Sequence, residues 1–206
     1  MKIHNMEQGS NEWEEIRKGK ITASTFNTLV TSTLGVSKSI ASKLAISQII
    51  GNEQSKINSD DFQTYAMARG TDCEPRARDW YQKTELIEVQ EVGFIEHESG
   101  LAGFSPDGLV ADGMIEIKTQ CQKNHMYCDL FGFDEWLKKY KPQILLSMVV
   151  NESIKFCDCI SYNEDFEGWK KMFIFRYERN EEEVKKAKES LEYWINFLKD
   201  IKYIKD

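Results

Sequence analysis

No stretch of this 206-residue chain approaches the roughly 18 consecutive apolar residues of a membrane-spanning helix. The longest apolar run, Ile144 to Val150, is broken by Ser147. The opening segment, MKIHNMEQGS, lacks the apolar centre of a secretory leader. Prolines number three, glycines are dispersed and no tract is repetitive, so collagen-like and low-complexity classes are excluded. Cysteines number five, an odd count without the spacing of a disulfide framework, which fits a reducing cytoplasm. Basic residues are also short, 27 against 34 acids for a net charge of -7, so bulk charge does not hold this chain to nucleic acid. A local basic groove could still do so, because a cleft focuses field while the outer surface repels.

What remains is ordinary globular composition, 30% charged and 41% hydrophobic. A chain of this length buries roughly 70% of its unfolded surface and needs no disulfide or structural metal for a core. We read one domain, residues 1–206, with no linker or repeat. Residues 1–83 are mainly helical in pattern. A short helix runs from Glu12 to Arg17 and ends before Gly19. A second is capped by Thr22 or Ser24, and a third carries Ile40, Leu44, Ile49 and Ile50. The polar stretch Asn52 to Ser59 reads as a surface connection. Asp60 or Asp61 can cap a helix to Gly70, and a further helix spans Glu74 to Lys83 with Pro75 in its first turn.

After Leu86 the pattern changes to strands as far as His97. Ser105-Pro106-Asp107-Gly108 is turn-rich, and Asp112-Gly113 is a strong hairpin signal that returns the chain into Ile115-Glu116-Ile117-Lys118. Residues 120–140 are helical in pieces. Pro142 opens a helix to Val150, and strands follow near Ile154–Ile160 and Lys170–Tyr177. A long amphipathic helix from Glu181 presents Val184, Leu191, Trp194, Ile195 and Leu198. The order gives an α/β core with a helical front end.

In the strand Ile115 to Lys118 the side chains alternate, so the isoleucines face the core and Glu116 and Lys118 share the other face. Asp107 lies close enough before the hairpin to return beside Glu116. Two carboxylates at one point repel unless a cation joins them, and a hard divalent ion takes oxygen ligands. Lys118 can orient or help deprotonate an attacking water and offset charge on a phosphodiester. Taken alone, Glu-x-Lys is a common charged ladder on a surface strand; the Ser-Pro-Asp-Gly turn upstream is what favours chemistry.

The run Gly103 to Leu109 followed by Ile115-Glu116-Ile117-Lys118 resembles the Pro-Asp…(Asp/Glu)-x-Lys nuclease superfamily, and within it the phage-type alkaline exonuclease and YqaJ-like viral recombinase group. Three further segments are similar to the family in the same order: Trp13 to Ser24, Arg69 to Arg78, and Tyr140 to Met148. The resemblance implies a restriction-endonuclease-like core with a mixed central sheet, a helical N-terminal region and a long C-terminal helix. It implies a Mg²⁺-dependent DNA exonuclease, with Mn²⁺ able to substitute. Asp107, Glu116 and the main-chain carbonyl of Ile117 would hold the ion, Glu74 would stand beside it, and Lys118 and Gln143 would place the water. Arg17 and Ser24 would contact a DNA 5′-phosphate.

The same resemblance implies 5′→3′ digestion of linear duplex DNA from phosphorylated ends, a ring-shaped homotrimer, and a single-strand annealing protein as recombination partner. Its setting would be the cytoplasm of a phage's bacterial host. Two positions depart from the family: Thr119-Gln120-Cys121 replaces Cys-Pro after the lysine, and Leu145 stands where a second glutamine is usual. A structure-specific or Cas4-like nuclease is the alternative on the same core, and a non-catalytic DNA-binding module is a more distant one.

Neighbouring residues have plainer readings. Glu74 sits in a first helical turn, where any carboxylate is favoured. Arg76 and Arg78 either touch DNA or pair with Asp72 and Asp79. Cys121, His125 and Cys128 follow Cys-x3-His-x2-Cys with no Cys-x2-Cys pair, and Cys157 and Cys159 read as small hydrophobes on a strand. Trp136, Trp169 and Trp194 read as packing anchors.

Overall fold

A computed structural model describes residues 1–54 and 65–203. Its helices are α1 (Asn11–Arg17), α2 (Ala23–Leu29), α3 (Ile40–Gln54), α4 (Tyr65–Glu85), α5 (Gln122–Phe131), α6 (Asp134–Val150) and α7 (Glu181–Tyr203). Its strands are β1 (Lys2–His4), β2 (Ile21–Thr22), β3 (Phe94–Glu96), β4 (Ala102–Phe104), β5 (Gly108–Val110), β6 (Gly113–Thr119), β7 (Phe156–Tyr162) and β8 (Met172–Glu178). Two mixed four-stranded sheets result, ordered β1-β3-β4-β2 and β5-β6-β7-β8. The connection expected from Asn52 begins inside α3. Its continuation and the caps Asp60 and Asp61 lie outside the described residues.

The second sheet positions the chemistry. Strand β6 pairs antiparallel with β5 and parallel with β7, so it is flanked on both edges. Ile115 and Ile117 pack on one face against Cys73, Ala77 and Tyr81, which recur every four residues along α4. Met114, on the other face, joins the core formed with Ile144, Leu145 and Met148 of α6. Burying each large apolar side chain contributes about 1.5–3 kcal/mol, so this strand is clamped between two helices. Asp158, in β7, is buried beneath α4, where it accepts from the Tyr81 hydroxyl at 2.6 Å and from Arg176 Nε and Nη2 at 2.8 Å each.

The long helix α7 closes the first core. Val184, Ala187, Leu191, Trp194, Ile195 and Leu198 are all buried, and the indole N–H of Trp194 donates to the Leu29 carbonyl at 2.9 Å. The stripe expected there thus packs internally. Cys157 and Cys159 are fully buried among these apolar groups, and Trp136 is buried as expected. Trp169 is not an anchor: it is 67% exposed on the 3₁₀ turn that precedes β8.

Three boundaries differ from the sequence expectation. The two helices expected around Gly70 are one, Tyr65–Glu85, with Pro75 inside it. Likewise α6 starts at Asp134, eight residues before Pro142. A proline keeps helical φ and removes one hydrogen bond, and the buried stripes continuing past it outweigh that loss. The hairpin loop is Ala111-Asp112 rather than Asp112-Gly113, because Val110 and Gly113 are already paired. Ala111 takes the left-handed φ of 41° that a two-residue loop requires. Gly113 is a glycine for a different reason: a Cβ there would lie 2.5 Å from the Phe156 ring. Strand β1, paired with β3, had no signal in the polar opening segment.

Candidate active site

The β5–β6 pairing sets Gly108 opposite Ile115, which brings Asp107 alongside Glu116 as the alternation requires. Asp107 Oδ2 accepts the Ile117 N–H at 2.6 Å. Glu116, 2% exposed, pairs with the Lys118 ammonium and accepts from Gln143 Nε2 at 2.6 Å. Gln143 reaches in from α6, and the ring of Tyr140 lies 5.3 Å from Lys118 Nζ. From the other helix layer α4 brings Glu74, held by Arg78 at 2.7 Å. All five proposed catalytic side chains therefore meet at one end of β6.

The electrostatics follow from crowding acids out of water. Burial pushes the Glu74 carboxyl up to about 7, aided by the charge of Asp107 and opposed by Arg78 and Lys118. Glu116 is also raised to about 7 by burial, with Lys118 opposing. Asp107 rises for the same first reason, countered by Lys118, the Ile117 N–H and Arg78. Burial works against the charge on Lys118, but Glu116 and Asp107 outweigh it and hold its pKa above the ordinary lysine value. Lys118 is therefore an ammonium in this arrangement.

The ligating groups gathered here are the carboxylates of Asp107, Glu116 and Glu74, whose oxygens suit a hard divalent cation and not a soft metal. Among the described residues no three His, Cys, Asp or Glu side chains converge as a ready-made cage. Magnesium fits that economy, since it commonly uses one or two carboxylates and fills its remaining positions from water and phosphate.

A second feature lies at the N-terminal end. A cavity of about 310 Å³ is lined by Trp13, Arg17, Lys18, Lys20, Thr22 and Ser24, among others. The Arg17 guanidinium carbon sits 3.7 Å over the Trp13 ring, and its Nε is buried without a hydrogen-bond partner. Burial lowers its pKa to about 10, against the attraction of Glu14. Lys18 pairs with Glu15 at 2.6 Å and Lys20 with Glu96 at 3.2 Å. Thr22 caps α2 and its hydroxyl lies 3.1 Å from that of Ser24. The cavity is tied to the acids: Trp13 Nε1 donates to Ser105 Oγ at 2.8 Å, and Gln8 Nε2 donates to the Pro106 carbonyl at 2.9 Å.

Several expectations need correction. Arg76 pairs with Glu164, not with Asp72 or Asp79, and Arg78 turns inward to Glu74 and the Asp107 main chain, with a third contact to the exposed Glu91. Leu145 is fully buried in the α6 core, so no polar contact replaces the second glutamine. The His125 ring bonds Ser161 Oγ at 2.8 Å and the Lys170 carbonyl at 2.7 Å, stacked against Phe173. Gln8, Ser105 and Tyr140 were missed because their roles arise from contacts distant in sequence.

Acids that repel one another beside one buried ammonium would be a costly ornament on a passive binding module, and they suit the cutting of a phosphodiester. With this fold around them, the chain is a nuclease. It belongs to the YqaJ-like viral recombinase domain family, whose profile matches residues 12–153. The chain is similar to LHK-Exo, an alkaline exonuclease from Laribacter hongkongensis, with 29% identity and a TM-score of 0.80 over 95% of this chain and 96% of that one. The same enzyme in complex with dAMP gives 28% identity and a TM-score of 0.78 over 95% and 96%. A phage-related exonuclease from Haemophilus somnus 129PT shares the fold at 13% identity, with a TM-score of 0.72 over 94% of this chain and 99% of that one. No curated protein matches. Among the described residues no helix is long and apolar enough to cross a membrane.

Proposed function

We propose that this chain is a Mg²⁺-dependent exonuclease that hydrolyses linear duplex DNA in the 5′→3′ direction from phosphorylated ends. The observation that carries the reading is the convergence of Asp107, Glu116 and Lys118, with Glu74 and Gln143, at one end of β6. Asp107, Glu116 and the Ile117 carbonyl would hold the ion, with Glu74 beside them, and Mn²⁺ would substitute. Once bound, the ion supplies Lewis-acid polarisation of the phosphodiester. Lys118, as an ammonium with no lone pair, orients the water and offsets charge that grows on the phosphoryl oxygens. Gln143 fixes the Glu116 carboxylate through its amide N–H.

The Arg17 cavity supports the end preference. A buried guanidinium whose Nε lacks a partner, beside the Ser24 hydroxyl, is a seat for a terminal phosphate. The family supports a wider setting, in which the chain assembles as a homotrimer and works with a single-strand annealing protein in the cytoplasm of a phage's host. A linear duplex labelled separately at each end tests the activity. Mg²⁺-dependent release should begin at the 5′ label, should require Asp107 and Lys118, and should leave a covalently closed circle intact. Release first from the 3′ label refutes the polarity. Cutting of closed circles refutes the exonuclease reading, and unchanged release by Asp107→Asn refutes the site.

A further inference from the structure

Arg78 spends all three of its guanidinium nitrogens on groups around the nuclease centre. Its Nε donates to the Asp107 main-chain carbonyl at 2.8 Å, its Nη2 to Glu74 Oε1 at 2.7 Å, and its Nη1 lies 2.6 Å from Glu91 Oε2. The side chain is 11% exposed, whereas that of Glu91 is 70% exposed. An exposed partner of that kind contributes little, so the two inward contacts carry the weight.

Those contacts join two segments of backbone that are distant in sequence. Glu74 stands one helical turn before Arg78 on α4, and Asp107 stands in the turn that enters β5. Helix α4 already has its own attachment to the sheet through Cys73, Ala77 and Tyr81, so the fold does not need Arg78 to hold the helix down. What that apolar stripe cannot set is the angle of the Glu74 carboxylate or the position of the Asp107 main chain. Asp107 is gripped from both sides, its carbonyl by Arg78 and its Oδ2 by the Ile117 N–H.

We propose that Arg78 is a positioning residue for the divalent-ion site, one planar fork fixing the Glu74 carboxylate against the Asp107 main chain so that both acids address the same ion. The inference rests on the metal-dependent nuclease reading and deepens it. Arginine is required because its nitrogens diverge in a fixed plane; lysine supplies one point charge on a flexible stem and cannot hold both acceptors in register. Arg76, two residues earlier on the same helix, is 54% exposed in its side chain and pairs outward with Glu164, so it serves as the comparison.

The test uses the full chain as wild type, Arg78→Lys, Arg78→Ala and Arg76→Ala. Mn²⁺ binding without DNA is read from the electron paramagnetic resonance signal of the free ion, alongside thermal melting and the Mn²⁺ dependence of nucleotide release. Binding of the duplex end is measured separately without metal. Both Arg78 variants should weaken Mn²⁺ binding by about 10- to 100-fold and move the release curve to higher Mn²⁺ by a similar factor. Binding of the duplex end should stay as in wild type, and Arg76→Ala should match wild type throughout.

Arg78→Lys that binds Mn²⁺ like wild type overturns the inference, even if Arg78→Ala fails to fold. So does a loss of binding that merely follows the unfolded fraction in both variants. Should wild type itself neither bind Mn²⁺ nor release nucleotides, the nuclease reading falls and this inference with it. Wild-type binding with an unaffected Arg78→Lys removes the inference alone.

Discussion

Replacing Arg17 by methionine should separate the proposed recognition of a DNA 5′-phosphate from stability. Methionine keeps an apolar stem over the Trp13 ring and deletes the charge. The lowering of the guanidinium pKa from 12.5 to about 10 corresponds to roughly 3 kcal/mol of unfavourable charge burial. A terminal phosphate would offset that cost, since a hydrogen bond to a charged group contributes about 1.5–3 kcal/mol, or about 10- to 150-fold in rate or affinity. The assay compares initial nucleotide release from two duplexes that differ only in a 5′-phosphate or a 5′-hydroxyl. Wild type should favour the phosphate by a factor in that range, and Arg17→Met should bring the ratio near one. Its melting temperature should be no lower than that of wild type, because the charge removed has burial to recover and no partner at Nε to lose. An Arg17→Met enzyme that still discriminates between the two ends, or one that melts far below wild type, would refute the argument.

Three further outcomes test the fold. His125 has its pKa lowered by burial, so the native state favours the neutral ring and the unfolded chain binds more protons as pH falls through 6.5; stability should drop from there downward, and urea titrations of His125→Gln at pH 7.5 and 5 should show a smaller difference than wild type. Gly113→Ala should cost about 1–3 kcal/mol in urea unfolding, since the new Cβ must displace the Phe156 ring. Leu86, 89% exposed with φ of 55° just past α4, holds a conformation glycine adopts without strain; Leu86→Gly should raise the melting temperature by up to about 4 °C, near 1 kcal/mol for a chain of this size.

The candidate site was legible in the sequence to the extent that its residues are local. Asp107, Glu116 and Lys118 belong to one hairpin, and a period of two places them without further information. Gln143 and Glu74 came from family resemblance, because nothing near them in the chain says which strand their helices will cover. Arg78 shows the limit: its charge allowed pairing with nearby aspartates, and the inward choice depends on where the turn at Asp107 lies. The hairpin loop was misplaced by one residue because glycine was read as a turn signal, when Gly113 makes room for an aromatic ring on the neighbouring strand. The helix starts expected at Glu74 and Pro142 differ from the structure because tertiary burial on either side of a proline can outweigh its local cost.

Strand β6 has neighbours on both edges and helices on both faces, and this has a practical consequence for genetics. A saturation mutagenesis screen scored by survival of folded protein would find nearly every position from Met114 to Ile117 intolerant, the acid and the isoleucines alike. Tolerance alone would not single out Glu116. Only a screen that scores abundance and cleavage separately can tell the residues that build this strand from the one proposed to hold the ion.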